Sequence, residues 1–300
     1  MQNALCNEID MDHDSHLISV VMPARNEARS LGAVLPKLRT VVPDAEIIVV
    51  DDGSTDATSA ICAAHDIRCI SHPYPKGNGA AIKTGARHAT GDILVFMDAD
   101  GQHDPADIPR LLGEIEAGSD MVVGARCRRS QAGAHRALAN GIYNWLASWM
   151  VEHRVEDLTS GFRAVRAHPF KRFLPLLPNS FSYPTTITMC FFRAGHNIAY
   201  VPITAAQRVG KSHIRLLRDG VRFIMIIFKI GSLYSPLKLF LPISVTFLAG
   251  GLGLYGYNFW ASHRFTNMSA LLLSVSVLVF LIGLVSEQIT ALMFKDSERD

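Results

Sequence analysis

Asp98-Ala99-Asp100-Gly101-Gln102-His103 sets two carboxylates and an amide at alternate positions, directly after the apolar run Ile93-Leu94-Val95-Phe96-Met97. A short apolar run bounded by Gly91-Asp92 reads as a strand buried on both faces, the kind that parallel sheets contain. Such a strand delivers whatever follows it to its carboxyl end, where open α/β sheets bind their ligands. With extended geometry carried on for a few residues, Asp98, Asp100 and Gln102 share one face, because strand side chains repeat every two residues. Three oxygen donors on one face suit a hard divalent cation, Mg²⁺ or Mn²⁺, that keeps some of its waters and is shared with substrate phosphates. Asp-x-Asp alone reads equally well as a polar loop capping a helix that starts near Pro105. The strand in front of it and the motifs elsewhere tip the reading toward metal.

Two further acidic motifs follow apolar strands. Pro23-Ala24-Arg25-Asn26-Glu27 comes after the first, and Asp51-Asp52-Gly53-Ser54-Thr55-Asp56 after the second, so both can face the cleft that receives Asp98. Acidic side chains there accept hydrogen bonds from a base N–H or from ribose hydroxyls; Asp56 reads as a helix cap. Lys76-Gly77-Asn78-Gly79 leads into a helix, where backbone N–H groups and the helix dipole favour anions. No Walker loop and no GxGxxG is present, which removes the fingerprints of P-loop NTPases and dinucleotide-binding dehydrogenases.

The elements that must position these residues alternate. Leu17–Met22, Glu46–Val50, Ile67–Ile70, Asp92–Met97 and Met121–Gly124 read as strands. Glu27–Thr40, Asp56–His65, Gly79–Ala89 and Pro105–Ala117 read as the helices between them. This alternation predicts an α/β fold, a mostly parallel sheet covered on both faces with right-handed crossovers. Ser54-Thr55-Asp56 supplies N-cap chemistry, and Pro105 sits in a first turn, where its missing N–H costs nothing.

The last quarter differs in kind. Apolar residues make up 49% of the 300-residue chain, and they are concentrated toward the C-terminus. Leu239–Trp260 carries no charged side chain, and Ala270–Phe294 is interrupted only by Glu287-Gln288. Each is long enough to cross a hydrocarbon core of about 30 Å, and the short link predicts a helical hairpin. Gly250, Gly251, Gly253 and Gly256 suit close helix packing in lipid. Arg215, Arg218, Arg222, Lys229 and Lys238 precede the first span and Lys295 follows the second, against Arg264 in the link. The positive-inside tendency then puts the N-terminal domain and the C-terminus in the cytoplasm. Arg215–Tyr234, with apolar residues broken by Arg222 and Lys229, reads as a helix lying in the membrane interface. Trp145 and Trp149, four apart within Tyr143–Val151, give a weaker candidate of that kind, with core packing as the other reading.

A net charge of +2 offers no bulk electrostatic case for nucleic acid. Five scattered cysteines without a CxxC pair argue against a zinc site or disulfide framework and fit a reducing compartment. Residues 1–16 lack the basic start and apolar core of a signal peptide and read as a flexible tail. The expected organisation is that tail, a catalytic domain over 17–213, an interfacial helix region over 214–235 and two transmembrane helices within 236–296.

Taken together, the motifs resemble the family-2, GT-A-fold glycosyltransferases, most closely the membrane-anchored polyprenyl-phosphate sugar synthases of the dolichol-phosphate mannose synthase type. The resemblance runs from about residue 17 to 235 and is carried by the motifs at 23–27, 51–56 and 98–103, Thr-Ser-Gly-Phe-Arg at 159–163 and Arg-Val-Gly-Lys-Ser at 208–212. It implies a GT-A (Rossmann-like) domain that binds a nucleotide sugar of the GDP-mannose or UDP-glucose type through Pro23, Arg25, Glu27, Asp51, Asp52, Lys76, Gly79 and Asp98. By it, Asp98, Asp100 and Gln102 hold the metal, and Arg126, Ser160, Arg163, Arg208, Lys211 and Ser212 surround the phosphate of a polyprenyl phosphate acceptor. Guanidinium groups recognise phosphate bidentately, and Lys adds a point charge. Asp100, Arg126 and Asp157 are the residues on which transfer would depend, Asp157 either as a base or as a carboxylate holding an arginine. Two positions depart from the family's pattern: Arg25 stands where many relatives have an aromatic, and His213 where many have Lys. Membrane lipids are implied partners, and a homo-oligomer is compatible with the pattern. The competing functions are a membrane glycosyltransferase with another acceptor (lipid-linked glycan, diacylglycerol or polymer) and a non-catalytic membrane scaffold. Processive relatives carry Gln-x-x-Arg-Trp, which Gln207-Arg208-Val209 does not match.

Overall fold

A computed structural model describes residues 17–126, 134–179, 182–204, 232 and 234–297. The tail at 1–16, most of the expected interfacial helix, and Arg208, Lys211, Ser212 and His213 lie outside the described residues. The first half alternates as expected: β1 (Ile18–Ala24), α1 (Ala28–Val41), β2 (Glu46–Asp51), α2 (Thr58–Ala64), β3 (Arg68–Ser71), α3 (Asn78–His88), β4 (Ile93–Phe96), α4 (Ile108–Glu116) and β5 (Met121–Arg126). Then come α5 (Ala134–Val151), β6 (Arg163–Arg166), α6 (Ala167–Arg172), α7 (Tyr183–Arg193), β7 (Ile198–Ile203), α8 (Pro236–Ser262) and α9 (Asn267–Ser297).

The strands form one 7-stranded sheet in the order β3-β2-β1-β4-β6-β5-β7. All pairings are parallel except those of β6, which runs antiparallel to both β4 and β5. β6 and β7 carry no periodic apolar signal of the strength seen in β1 or β4, so pattern alone does not mark them as strands.

Period-two alternation explains why β4 and the middles of β1 (Val20–Met22) and β2 (Ile47–Val50) are apolar throughout. Val21, Ile48, Val50, Leu94 and Phe96 point into one core with α3, α5, α6 and α7. Val20, Met22, Ile47, Val49 and Val95 point into the other, with α1, α2 and α4. A strand buried on both faces holds a polar side chain only where it is hydrogen-bonded, as Ser19 is to Glu46. α3 approaches β1 so closely that a Cβ on Gly85 would sit 2.2 Å from Val21 Cγ1.

α8 and α9 form the hairpin, and only 11% and 17% of their most apolar stretches are buried, which a core helix of a water-soluble domain would not allow. Ser244 and Ser276 donate to each other's carbonyls at 2.9 Å. The glycine stripe expected in the first span does not pack as a unit: Gly251 meets Leu273 and Gly283 of α9 meets Phe240, whereas Gly250, Gly253 and Gly256 face open space. Glu287, the apparent flaw in the second span, has partners: it accepts from Arg193 of α7 at 3.2 Å and from Leu237 N of α8 at 3.3 Å. Lys238 bonds Glu152 and, at 3.2 Å, the Met150 carbonyl, tying the end of α5 to the start of α8. On α5, Ala147 and Met150 are buried, whereas Trp145 and Trp149 are 66% and 43% exposed, so the core-packing reading of the tryptophans fails.

Gly85→Ala is expected to cost about 1–3 kcal/mol of stability by overpacking the α3–β1 contact. Chemical denaturation of the detergent-solubilised chain measures it.

Candidate active site at the strand ends

A cavity of about 370 Å³ opens at the carboxyl ends of β1, β2 and β4 and is lined by Pro23, Ala24, Arg25, Glu27, Asp52, Gly77, Asn78, Ala81, Asp98, Ala99, Asp100 and Gln102. It gathers every residue expected around the donor from the first motif, one of the two aspartates of the second, and the whole expected metal set.

The first two loops are stitched together by helix capping. The N-terminus of α1 leaves backbone N–H groups without intrahelical partners. Ser54 Oγ accepts from Asn26 N at 2.9 Å, Thr58 Oγ1 from Glu27 N at 3.1 Å and Asp56 Oδ2 from Ala28 N at 3.1 Å. In return Asn26, at φ +57°, accepts from Thr55 N at 2.8 Å. Asp56 is a cap, as its type suggested, though for α1 as much as for its own helix.

Asp51 and Asp52 point to opposite sides. Asp51 accepts from Ser54 N at 2.9 Å and Ser59 Oγ at 2.8 Å, which turns it away from the cavity; it braces the turn rather than meeting a nucleoside. Asp52 lines the cavity and accepts from His72 Nδ1, Lys76 N and Gly77 N, each at 2.8 Å. Burial would raise its carboxyl, but these bonds outweigh burial and hold it below its ordinary range. Lys76 and Gly79, expected at the donor, do not line the cavity. The Lys76 ammonium stands over the Tyr74 ring at 5.6 Å, and Gly79 is buried inside α3. The same loop contributes Gly77 and Asn78 instead.

The extended geometry assumed for the metal motif stops at Phe96, and the chain turns through Gly101 at φ +74°. Asp98, Asp100 and Gln102 still reach one cavity, but from a turn in which Asp100 Oδ1 accepts from Gln102 N at 3.1 Å. Among the described residues no third His, Cys, Asp or Glu joins the two carboxylates. An all-oxygen set of two carboxylates and an amide leaves room for water and phosphate oxygens, which suits Mg²⁺ or Mn²⁺ rather than zinc. Asp98 has one hydrogen-bond partner among the described residues, Asn78 Nδ2 at 3.5 Å, and Asn78 Oδ1 is buried without one. Under-satisfied acceptors gathered in one place are what a cation would relieve. Gly161 backs this site: a Cβ there would lie 2.9 Å from Asp98 Oδ2.

Asp157 resolves as the carboxylate that holds an arginine. Oδ2 accepts from Arg126 Nε at 2.8 Å and Arg126 N at 3.2 Å; Oδ1 accepts from Arg126 Nη2 at 3.0 Å and from Thr159 N and Ser160 N, both at 3.1 Å. Burial pushes its carboxyl up, but the Arg126 bonds and charge and these amides prevail and keep it below 3.8. A carboxylate so saturated has no room to take a proton from a substrate. Arg126 spends Nε and Nη2 on Asp157 and Thr159, and its Nη1 has no partner among the described residues. Its guanidinium is stabilised first by the Asp157 hydrogen bond and further by the charges of Asp157 and Asp98.

Arg163 corrects another expectation. It is 0% exposed and donates to the carbonyls of Ser160 and Pro184 and to Thr188 Oγ1, so it anchors the Thr-Ser-Gly loop and does not face an acceptor. Ser160 is 1% exposed, with its hydroxyl unpartnered, and does not line the cavity. His103 is stacked on Phe162, ring centroids 5.0 Å apart, with a buried unpartnered Nδ1. Sequence reasoning missed Asn78, although it stands in a quoted motif, and His72, which no local pattern marks.

The model of glycosyl transferase family 2 matches residues 19–175, and that of the GtrB C-terminal hairpin matches residues 235–292. The chain is 32% identical over 205 residues to an undecaprenyl-phosphate mannosyltransferase of Micrococcus luteus, covering 64% of this chain and 84% of that one. It is 29% identical over 204 residues to the polyprenol monophosphomannose synthase of Mycolicibacterium smegmatis, covering 63% and 77%. Among solved structures, glucosyl-3-phosphoglycerate synthase of Mycobacterium tuberculosis, in complex with Mn²⁺, UDP and glucosyl-3-phosphoglycerate, aligns with a TM-score of 0.58 at 26% identity, over 73% of this chain and 80% of that one.

Two outcomes follow from this geometry. Asp157→Asn is expected to cost about 3 kcal/mol by breaking a largely buried ion pair. Because the folded carboxyl is depressed, the pair's contribution is full above the unfolded value and lost as pH falls through the folded one, below 3.8. The stability gap between wild type and Asp157→Asn should therefore stay constant from pH 7 to about 5 and close in stronger acid, read by denaturant titration at each pH. Gly161→Ala is expected to displace Asp98 and weaken Mn²⁺ binding about tenfold or more, measured by Mn²⁺ electron paramagnetic resonance titration.

Proposed function

The chain belongs to glycosyl transferase family 2, and from that premise we propose that it moves one hexose from a nucleotide sugar to the phosphate of a polyprenyl phosphate at the cytoplasmic face of a membrane. The observation that carries the reading is Arg126, with Nη1 open, within electrostatic reach of the Asp98–Asp100 cavity in a chain that ends in an apolar hairpin of membrane-spanning length. The names of the Micrococcus and Mycolicibacterium relatives support a polyprenyl phosphate as acceptor.

Each residue set has a task. Pro23, Arg25, Glu27 and Asp52 hold the nucleoside of a donor of the GDP-mannose or UDP-glucose type. Asp98, Asp100 and Gln102 would hold Mg²⁺ or Mn²⁺, which when bound stabilises the negative charge of a departing diphosphate. Arg126, oriented by Asp157, presents Nη1 to the acceptor phosphate; Arg208, Lys211 and Ser212, outside the described residues, are assigned to phosphate binding by the sequence motif alone. A phosphate monoester has a second pKa of about 6 and is already largely dianionic near neutrality. One of its oxygens attacks the anomeric carbon as the bond to the donor's diphosphate breaks, inverting that carbon without a protein base. The protein's contribution is positioning and electrostatic stabilisation. The exposed Trp145 and Trp149, beside the Lys238 tether, support contact of α5 with the bilayer interface. The excess of Lys and Arg flanking the spans over the single Arg264 between them supports a cytoplasmic catalytic domain and C-terminus.

Purified protein incubated with labelled nucleotide sugars, Mg²⁺ or Mn²⁺, and either undecaprenol or undecaprenyl phosphate tests the reading. Label is expected in lipid only with the phosphorylated alcohol; incorporation into polymer, or into lipid without phosphate, refutes it. Asp100→Ala should lower that transfer about 100-fold or more while the fold persists. Unchanged transfer would remove Asp100 from the site.

A further inference from the structure

A second cavity, of about 170 Å³, lies where α5, α7 and the start of α8 meet, and the transfer proposed above makes no use of it. Part of its lining is apolar, from Met150 and Val151 of α5 and Met189 and Phe192 of α7. The rest is polar and includes Glu152, Arg193, Ser235 and Lys238. Lys238 stands directly before Leu239–Trp260, the stretch without a charged side chain. A bilayer spanned by the hairpin therefore meets this cavity at the depth of its headgroups.

The charges gathered there come in opposite pairs. Lys238 is bonded to Glu152, and Arg193 Nη2 lies 3.2 Å from Glu287 Oε1. A purely anionic headgroup would set its charge against two carboxylates as well as two cations. A headgroup that carries a phosphate and an ammonium a few atoms apart matches both signs at once.

We propose that this cavity binds the phosphoethanolamine headgroup of a membrane phospholipid. Its phosphate lies against Lys238, Arg193 and the first turn of α8, where the helix dipole adds positive charge. Lys238 gives two of its three N–H donors to the Met150 carbonyl and Glu152, which leaves one for a phosphate oxygen. Ser235, at the N-cap of α8, makes no side-chain cap bond, so its hydroxyl is placed to donate to the same phosphate. The ammonium lies against Glu152, whose side chain is 75% exposed and open to a lipid from outside. A primary ammonium donates N–H bonds to that carboxylate, whereas the trimethylammonium of a choline lipid donates none. The methylenes of the headgroup pass over the apolar part of the lining. A lipid seated this way touches α5, α7 and α8 together, at the joint between catalytic unit and hairpin. The inference rests on the hairpin spanning a membrane and is independent of which group is transferred at the strand ends.

Native mass spectrometry of the full-length protein in detergent tests it, with equal amounts of dioleoyl phosphatidylethanolamine, phosphatidylcholine and phosphatidylglycerol. The ethanolamine lipid is expected to be retained about threefold or more over each of the others, as an added ion pair in a partly exposed site allows. Equal retention of all three, or preference for phosphatidylglycerol, overturns the proposal. So does displacement of the ethanolamine lipid by an equal amount of undecaprenyl phosphate, which would give the cavity to the acceptor. Soluble glycerophosphoethanolamine binding as tightly as the lipid would overturn the bilayer as the source. Glu152→Ala removes an exposed side chain and leaves the Lys238 bond to Met150 in place. In it the preference for ethanolamine over choline should disappear while phospholipid is still bound, and Glu152→Asp should recover part of that preference. An unchanged ratio in folded Glu152→Ala refutes the ammonium contact and the proposal with it.

Discussion

The site depends on parallel strands that end side by side. β1 pairs with β2 through Ala24↔Asp51 and with β4 through Val21↔Phe96, so the chain leaves all three strands along one edge of the sheet. Everything polar in the cavity comes from the segments that follow. Those segments would be loose on their own, since loops carry unpaired backbone groups. Here the caps of α1 come from the β2–α2 loop, and the amides of the β3–α3 loop end on Asp52. Helix capping, which costs the chain only a few Ser, Thr and Asp side chains, converts three loops into one wall.

Against that wall the charges are divided by task. Asp51 and Asp157 are held by N–H and O–H donors and act as struts, whereas Asp52 accepts three N–H bonds and still lines the cavity. Among the described residues Asp98 accepts one long hydrogen bond, and it shares the cavity lining with Glu27, Asp52 and Asp100. Carboxylates gathered in one cavity repel unless a cation joins them. Arg126 is pinned through Nε and Nη2, and its Nη1 has no partner among the described residues. The proposed metal and diphosphate site rests on these carboxylates and on a guanidinium whose charge is felt by Asp98.

The same division is visible where the catalytic unit meets the hairpin. Carboxylates on apolar spans are expensive unless paired. Glu287 pairs with Arg193 and takes a backbone N–H of α8, while Lys238 reaches back to Glu152 and the Met150 carbonyl. These contacts join α5 and α7 to the spans at one end of the hairpin, and the exposed tryptophans of α5 flank that joint.

Local pattern carried much of this into the sequence. Apolar runs identified β1, β2, β4 and β5, because a strand covered on both faces is mostly apolar on both, and hydrophobic length identified α8 and α9. The motifs at 23–27, 51–56 and 98–103 gave the cavity its residues, because the ends of parallel strands converge whatever the crossovers contain. The rest was decided by tertiary structure, for reasons that periodicity cannot encode. Adjacent Asp51 and Asp52 must face opposite ways, but which one meets the cavity depends on the path of the chain beyond β2. Arg163 looked like a phosphate ligand by type, and only the packing of antiparallel β6 under α7 buries it. Asp157 and Arg126, and likewise His72 and Asp52, are far apart in sequence. Their pairing exists because the sheet brings distant segments together, and desolvation there rewards only complete satisfaction of each charge.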